Sequence, residues 1–195
     1  DTPEKIENSQ VIKIEPKDML SIVVSSSDPA VAKIFNLPVS ATQAGTDRAG
    51  YGNYLLGYVV DNEGYIDFPI LGKIKASGLS RWQLQEQITQ ALSEKKMLTD
   101  GLVTVEFMNF KVSILGEVTN PGTYTINSDK VTVLEAIAMA KDLTIFGERD
   151  HVYVIREEDG QRKSYQLDLR SADIFKSPAY YLKQNDVVYV QPNSV

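Results

Sequence analysis

An α+β fold divided between two small domains is what this sequence predicts, and three observations carry that expectation. The chain has 195 residues, enough to bury a sizeable core and at the size where one core commonly gives way to two. Two segments combine helix start signals with apolar residues at helical spacing, while most of the remainder alternates apolar and polar residues in short runs between Gly, Pro, Asn and Asp. Helices and hairpin patterns are mixed without a strand–helix–strand rhythm, which favours α+β over a parallel sheet.

In chain order, QVIKIE (10–15) and MLSIVV (19–24) alternate as strands, with Pro16 and Asp18 marking the bend between them. Asp28 can cap, and Pro29 can open, a short helix through AVAKIFN, because proline is tolerated in a first turn and Asp accepts free backbone N–H groups there. Residues 36–53 show neither period and read as a long loop. GYVV, the turn DNEG and YIDF then predict a hairpin in which Gly64 supplies a positive φ. Pro69 cannot donate to a ladder, so FPILG leaves the sheet or lies on its edge.

Ser80 and Gln83 form a capping box ahead of the clearest helix, RWQLQEQITQALSE, with Leu84, Ile88, Ala91 and Leu92 on one face. LVTVEF reads as a strand, and VSILGEVTNPGTYTI as a hairpin. Thr132 and Glu135 start a second helix with Leu134, Ile137 and Ala138 inward. The remainder is strand-like: HVYVI, a turn over REEDGQRK, SYQLDL, a short polar segment and YYLKQNDVVYVQP. One echo runs through the chain: IKIEPKDMLSIVV and YLKQNDVVYV both set an aspartate, Asp18 and Asp186, between alternating runs. A reused turn type accounts for it, as does a shared place in two related domains.

Composition excludes several functions. The net charge of −6 has acidic and basic residues interspersed, so no basic stripe exists for nucleic acid. No apolar run approaches the roughly 18 residues of a membrane-spanning helix. Cysteine is absent and histidine occurs once, as His151, which removes thiolate chemistry and the usual His or Cys metal sites. There is no Gly-x-Ser-x-Gly elbow, and the glycines of GYGNYLLG precede a strand instead of opening a helix, so neither a nucleophile nor a phosphate loop is indicated. No cofactor and no metal is expected. Tyr51, Tyr54, Tyr58 and Tyr65 cluster in sequence and are candidate glycan contacts, with half-buried packing as the alternative.

The segments together resemble the bacterial outer-membrane polysaccharide export family, over nearly the whole chain. Pro16 and Asp18, then Gly64, Ile66, Pro69 and Gly72, then Gly78 ahead of Leu79 and Ser80, match its export signature. Gly116, Val118, Pro121, Gly122 and Tyr124 match the mark of its soluble-ligand-binding β-grasp (SLBB) module. Two departures bear on turn geometry: AKDL (140–143) stands where the family usually has Ala-Gly-Gly, and Lys17 replaces a common glycine.

The resemblance implies an export domain over 18–108 and a β-grasp domain over 109–195; the echo separately suggests that the strand 10–15 crosses over and pairs within the second. The resemblance implies fixed turns that shape an oligomer-forming subunit and carry no chemistry. It also implies a ring of like subunits at the periplasmic face of the outer membrane that passes capsular or exopolysaccharide outward, with an inner-membrane polysaccharide co-polymerase as partner. Family members carry a lipid-modified N-terminal cysteine; this chain starts without it and is expected to be a soluble fragment of a lipoprotein. A periplasmic glycan- or small-ligand-binding module is the alternative, and a carboxylate-based polysaccharide-processing enzyme is a third reading without a recognisable site.

Overall fold

In the computed structural model, residues 2–6, 11–36 and 57–194 are described, and the chain divides into two compact units. One is Lys13–Asn109; the other joins Asp1–Ile12 to Phe110–Val195. The fold is α+β, as the mixed patterns predict.

The first unit contains β1 (Met19–Ser25), α1 (Pro29–Phe35), β2 (Gly57–Val59), β3 (Tyr65–Phe68), β4 (Gly72–Lys75), α2 (Arg81–Glu94) and β5 (Leu102–Phe107). An antiparallel sheet runs β2-β1-β5. Alternation in β1 puts Leu20, Ile22 and Val24 on one fully buried face, and the register sets Ile22 opposite Val105 and Val24 opposite Val103. Helix α2 begins at a reciprocal capping box, Ser80 with Gln83, and its Leu84, Ile88 and Leu92 are completely buried. Those three side chains contribute on the order of 5–9 kcal/mol before chain entropy is counted. Asp28 caps α1 by accepting from the Ala30 N–H, with Pro29 in the first turn.

Two expectations change here. The ladder expected between GYVV and YIDF does not form. The turn itself is present, since Asp61 Oδ1 accepts from the N–H groups of Glu63 and Tyr65, yet β2 pairs with β1 while β3 pairs with β4. The three-residue connection Pro69–Leu71 closes the β3–β4 hairpin at small entropic cost, and Pro69 sits in it outside the ladder.

The strand expected over 10–15 is likewise reduced to a bridge between Lys13 and Ser80. Ile14 exchanges hydrogen bonds with Gly78 and Leu79 in the first unit, whereas Ile12 N–H donates to the Asp129 carbonyl of the second. Neighbouring residues are drawn to different partners, so no continuous ladder can extend through them. The loop expected over 36–53 lies almost wholly outside the described residues.

The second unit contains β6 (Lys111–Gly116), β7 (Gly122–Thr125), α3 (Val133–Met139), β8 (Gly147–Glu158), β9 (Gln161–Leu167), a 3-10 turn (Ala172–Lys176) and β10 (Val187–Pro192). Its sheet is mixed, ordered β7-β6-β10-β8-β9, with β10 parallel to β6 and antiparallel to β8. Asp159 and Gly160, both left-handed at φ 51° and 71°, close the β8–β9 hairpin, so both strands run deep into the segment expected as a long turn.

Helix α3 turns a different face inward from the one expected: Val133, Ala136, Ile137 and then Ala140 are buried, and Leu134 and Ala138 are exposed. The Thr132 cap sets the phase, and 133, 136, 137 and 140 keep the i, i+3, i+4, i+7 spacing. The cap is one-sided, because the Glu135 carboxylate meets the Thr132 hydroxyl instead of its backbone N–H.

Glycine is required at two motif positions by close approach as well as by φ. A Cβ on Gly116 (φ 87°) would lie 2.1 Å from the Val190 carbonyl oxygen, and one on Gly64 (φ 91°) 1.9 Å from Ser77 Oγ. The Gly116 clash is with backbone of the central strand β10, which cannot rotate away. Gly116→Ala is therefore expected to cost about 3 kcal/mol in urea unfolding, against about 1 kcal/mol for Gly72→Ala, whose Cβ would meet open space.

Where the family commonly has glycine, this chain keeps the left-handed backbone with other residues: Lys17, Lys141 and Asp142 have φ of 74°, 60° and 66°. Lys17 is exposed and pays that strain with no compensating contact of its side chain among those described. Lys17→Gly is expected to raise stability by about 0.5–1 kcal/mol, read as a higher urea midpoint at unchanged slope.

Candidate functional site

The motif residues of the first unit form one turn and one hairpin. Asp18, buried at 3% exposure, folds back so that its Oδ2 accepts from the Glu15 N–H at 2.8 Å, bracketing Pro16 and the left-handed Lys17. Ile66 is buried in β3, Gly72 begins β4, and Gly78 turns the chain toward α2 at φ 84°. Burial pushes the Asp18 carboxyl up to about 6, with the Glu15 charge adding to the rise and the Glu15 N–H opposing it.

The second unit repeats that turn. Asp186, 1% exposed, accepts from the Lys183 N–H at 2.8 Å across the left-handed Asn185. Here the carboxylate has a partner: Arg156, 4% exposed, donates from Nη2 at 2.7 Å and from Nε at 3.0 Å. Burial pushes Asp186 up and the guanidinium opposes that rise; burial likewise works against the charged Arg156, which is nonetheless raised by the Asp186 carboxylate together with Tyr165 and Glu158. Arg156 also donates to the carbonyls of Pro178 and Tyr181 and lies over the Tyr165 ring.

The SLBB-module motif lies along β6 and β7. Val118, 3% exposed, bridges to Leu143; Pro121 is exposed ahead of Gly122 at the start of β7; the Tyr124 hydroxyl donates to the Asn120 carbonyl. Across both units the motif positions are turn formers and packing residues, and they gather no set of convergent reactive groups.

Of the candidate glycan tyrosines, Tyr58 and Tyr65 are described. Tyr58 is a core residue, 5% exposed and stacked on Phe68 at 5.6 Å, so its ring is withdrawn from any ligand. Tyr65 is half-buried beneath the Lys75 ammonium, 4.7 Å from the ring centroid. Tyr51 and Tyr54 lie outside the described residues.

His151 stands beside Glu148 and Asp150, its Nδ1 3.0 and 3.2 Å from their oxygens, so three atoms capable of holding a cation lie within 4.8 Å of one another. Arg170 occupies the other oxygen of Asp150 at 2.8 Å and also pairs with Asp168. Arg170 already engages two of the neighbouring acids, and the partly exposed group reads as a surface ion-pair cluster.

Sequence reasoning passed over a different group. The 3-10 turn, within the segment read as short and polar, carries Phe175, and Tyr180 and Tyr181 follow it at the start of the run read as strand-like. With Lys176 and residues 4–6 these line a recess of about 700 Å³. Three aromatics within IFKSPAYY were the available signal.

The polysaccharide biosynthesis/export protein family matches residues 7–108, and the SLBB domain family matches residues 110–190. The chain belongs to the polysaccharide biosynthesis/export family. Two curated relatives align with it. The EPS I polysaccharide export outer membrane protein EpsA of Ralstonia solanacearum is 27% identical over 184 residues, which is 92% of this chain and 48% of that protein. The protein of the same name from Ralstonia nicotianae (strain ATCC BAA-1114 / GMI1000) is 29% identical over 150 residues, 74% of this chain and 38% of the relative. The chain thus spans half or less of the length of the curated relatives it matches. The polysaccharide biosynthesis/export family is not an enzyme class, and no helix among the described residues is long and apolar enough to cross a membrane.

Asp18 gives the export domain a pH signature. Its folded carboxyl titrates near 6 against an ordinary 3.8, so between those values the native state holds a proton that the unfolded chain lacks. Stability from this group therefore rises on acidification and falls as pH climbs through 6. The stability of wild type relative to Asp18→Asn is expected to grow by roughly 1–2 kcal/mol from about pH 7 to about pH 4.5 in urea titrations. A constant difference across that window would refute the assignment.

Proposed function

We propose that this chain is the soluble part of an outer-membrane polysaccharide export subunit, which assembles as a ring at the periplasmic face and passes capsular or exopolysaccharide to the cell surface. The observation that carries the reading is the alignment of 92% of the chain, through both domains in order, with a protein named as a polysaccharide export outer membrane protein. The full-length subunit is held to the membrane by an N-terminal lipid. The passage is passive, with energy supplied through an inner-membrane co-polymerase, and like subunits meet through surface patches.

A second reading, a periplasmic module that binds a glycan or small ligand without conducting it, is favoured by the aromatic recess. Assembly separates the two. Full-length, lipid-anchored protein extracted in mild detergent is expected to give a closed ring with a central opening by mass measurement and negative-stain imaging. A strict monomer under those conditions overturns the conduit. A monomer of the 195-residue chain does not, since association must first offset several kcal/mol of lost freedom.

A further inference from the structure

We propose that the recess at Phe175, Tyr180 and Tyr181 is a binding site for a short stretch of acidic polysaccharide, with sugar rings against the aromatics and a carboxylate near Lys5 and Lys176. The polymer class rests on the export reading; the site rests on the geometry.

The three rings form a chain of edge-to-face contacts, Phe175 to Tyr180 at 5.3 Å and Tyr180 to Tyr181 at 5.2 Å, each at 78°. Such an arrangement offers both ring faces and ring edges. A pyranose has an apolar C–H face bordered by hydroxyls, and aromatic faces with phenolic hydroxyls match both parts. Phe175 is 48% exposed, so core packing does not account for its position. A volume of about 700 Å³ falls in the range of small-molecule sites.

The platform is pre-set by the core behind it. The Tyr180 carbonyl accepts from the Val133 N–H, and the Tyr181 carbonyl from the buried Arg156. Ala179 and Leu182 are buried on either side, and Ser171 caps the 3-10 turn that carries Phe175 and Lys176. The backbone is already fixed while the side chains stay half-open, so little ordering is charged to binding.

Charge selects the sugar. The recess has Lys5 and Lys176 against Glu4 alone, in a chain whose net charge is −6. A local excess of ammonium groups on an acidic protein favours uronates over neutral sugars.

The test is binding of hexamers of galacturonate, mannuronate and hyaluronan to the whole 195-residue chain, by calorimetry and NMR, with maltohexaose as the neutral counterpart. Expected is saturable binding of at least one uronate hexamer, at least tenfold stronger than maltohexaose. Phe175→Ala should weaken it about tenfold or more, and Lys176→Gln about threefold, as should raising ionic strength from about 0.02 M to about 0.3 M. No saturable response to any uronate, equal binding of maltohexaose, or unchanged affinity in Phe175→Ala overturns the site. Should Phe175→Ala unfold, the ring resonances of Phe175, Tyr180 and Tyr181 in the wild type report directly, and shifts confined elsewhere overturn it. A ring from full-length protein without uronate binding removes only this site; uronate binding without a ring removes only the conduit.

Discussion

The buried pair Arg156–Asp186 is the constraint on which the second unit depends. A guanidinium and a carboxylate at 4% and 1% exposure are tolerable only with nearly every donor and acceptor matched. They are matched here: the carboxylate takes three hydrogen bonds from Arg156 and one from the Lys183 N–H, and Arg156 reaches the carbonyls of Pro178 and Tyr181. One side chain on β8 thus holds the turn before β10 and the segment that carries the aromatic rings. Removing either partner would strand a charge in the core, a defect typically worth 3–5 kcal/mol.

The turn built by Asp186 is the same device that Asp18 builds in the other unit, and topology shows what it does in each. Asp18 leads into β1 and Asp186 into β10, each an interior strand of its sheet. In both turns a left-handed residue donates its N–H to the neighbouring strand, Lys17 to Val60 and Asn185 to Lys111. The aspartate carbonyl then accepts from that strand, from Val60 in the first unit and Ser113 in the second. Returning to one residue is the antiparallel pattern, and straddling two residues two positions apart is the parallel one. A single turn thus seats an interior strand against neighbours of either direction, and the sequence echo occupies equivalent places in the two units. The difference lies in the partner: Asp186 has its arginine, while among the described residues Asp18 carries the desolvation without one.

Local signals were legible, and long-range choices were not. The Ser80–Gln83 box, the Asp28–Pro29 start and the alternation of MLSIVV each act within a few residues, and each appears where the sequence puts it. The insertion of β10 between β6 and β8 leaves no local trace, since its parallel pairing joins residues about 74 positions apart. The inward face of α3 differed because Leu134 is a stronger hydrophobe than Ala136, yet the cap fixes the helix phase and the small residue lies inside. Lys17, Lys141 and Asp142 show the converse: left-handed turns were kept without the glycine that would have announced them. For the site, counting tyrosines favoured 51–65, where Tyr58 turned out to serve the core; Phe175 fell in a segment read as polar and Tyr180 and Tyr181 in a run read as strand, so the three rings were not grouped.

A conduit and a sugar-binding recess are compatible only if contact with the polymer is brief. Passage requires sites favourable enough to enter and weak enough to leave. The recess has the features of such a site: its rings are half-open, and its ammonium groups are exposed and screened by salt. Rigidity behind the rings lowers the ordering cost of each encounter, while exposure in front limits what each encounter gains. That division, a backbone locked by Arg156 and Asp186 beneath an open aromatic surface, favours repeated weak contact with successive sugars over retention of one.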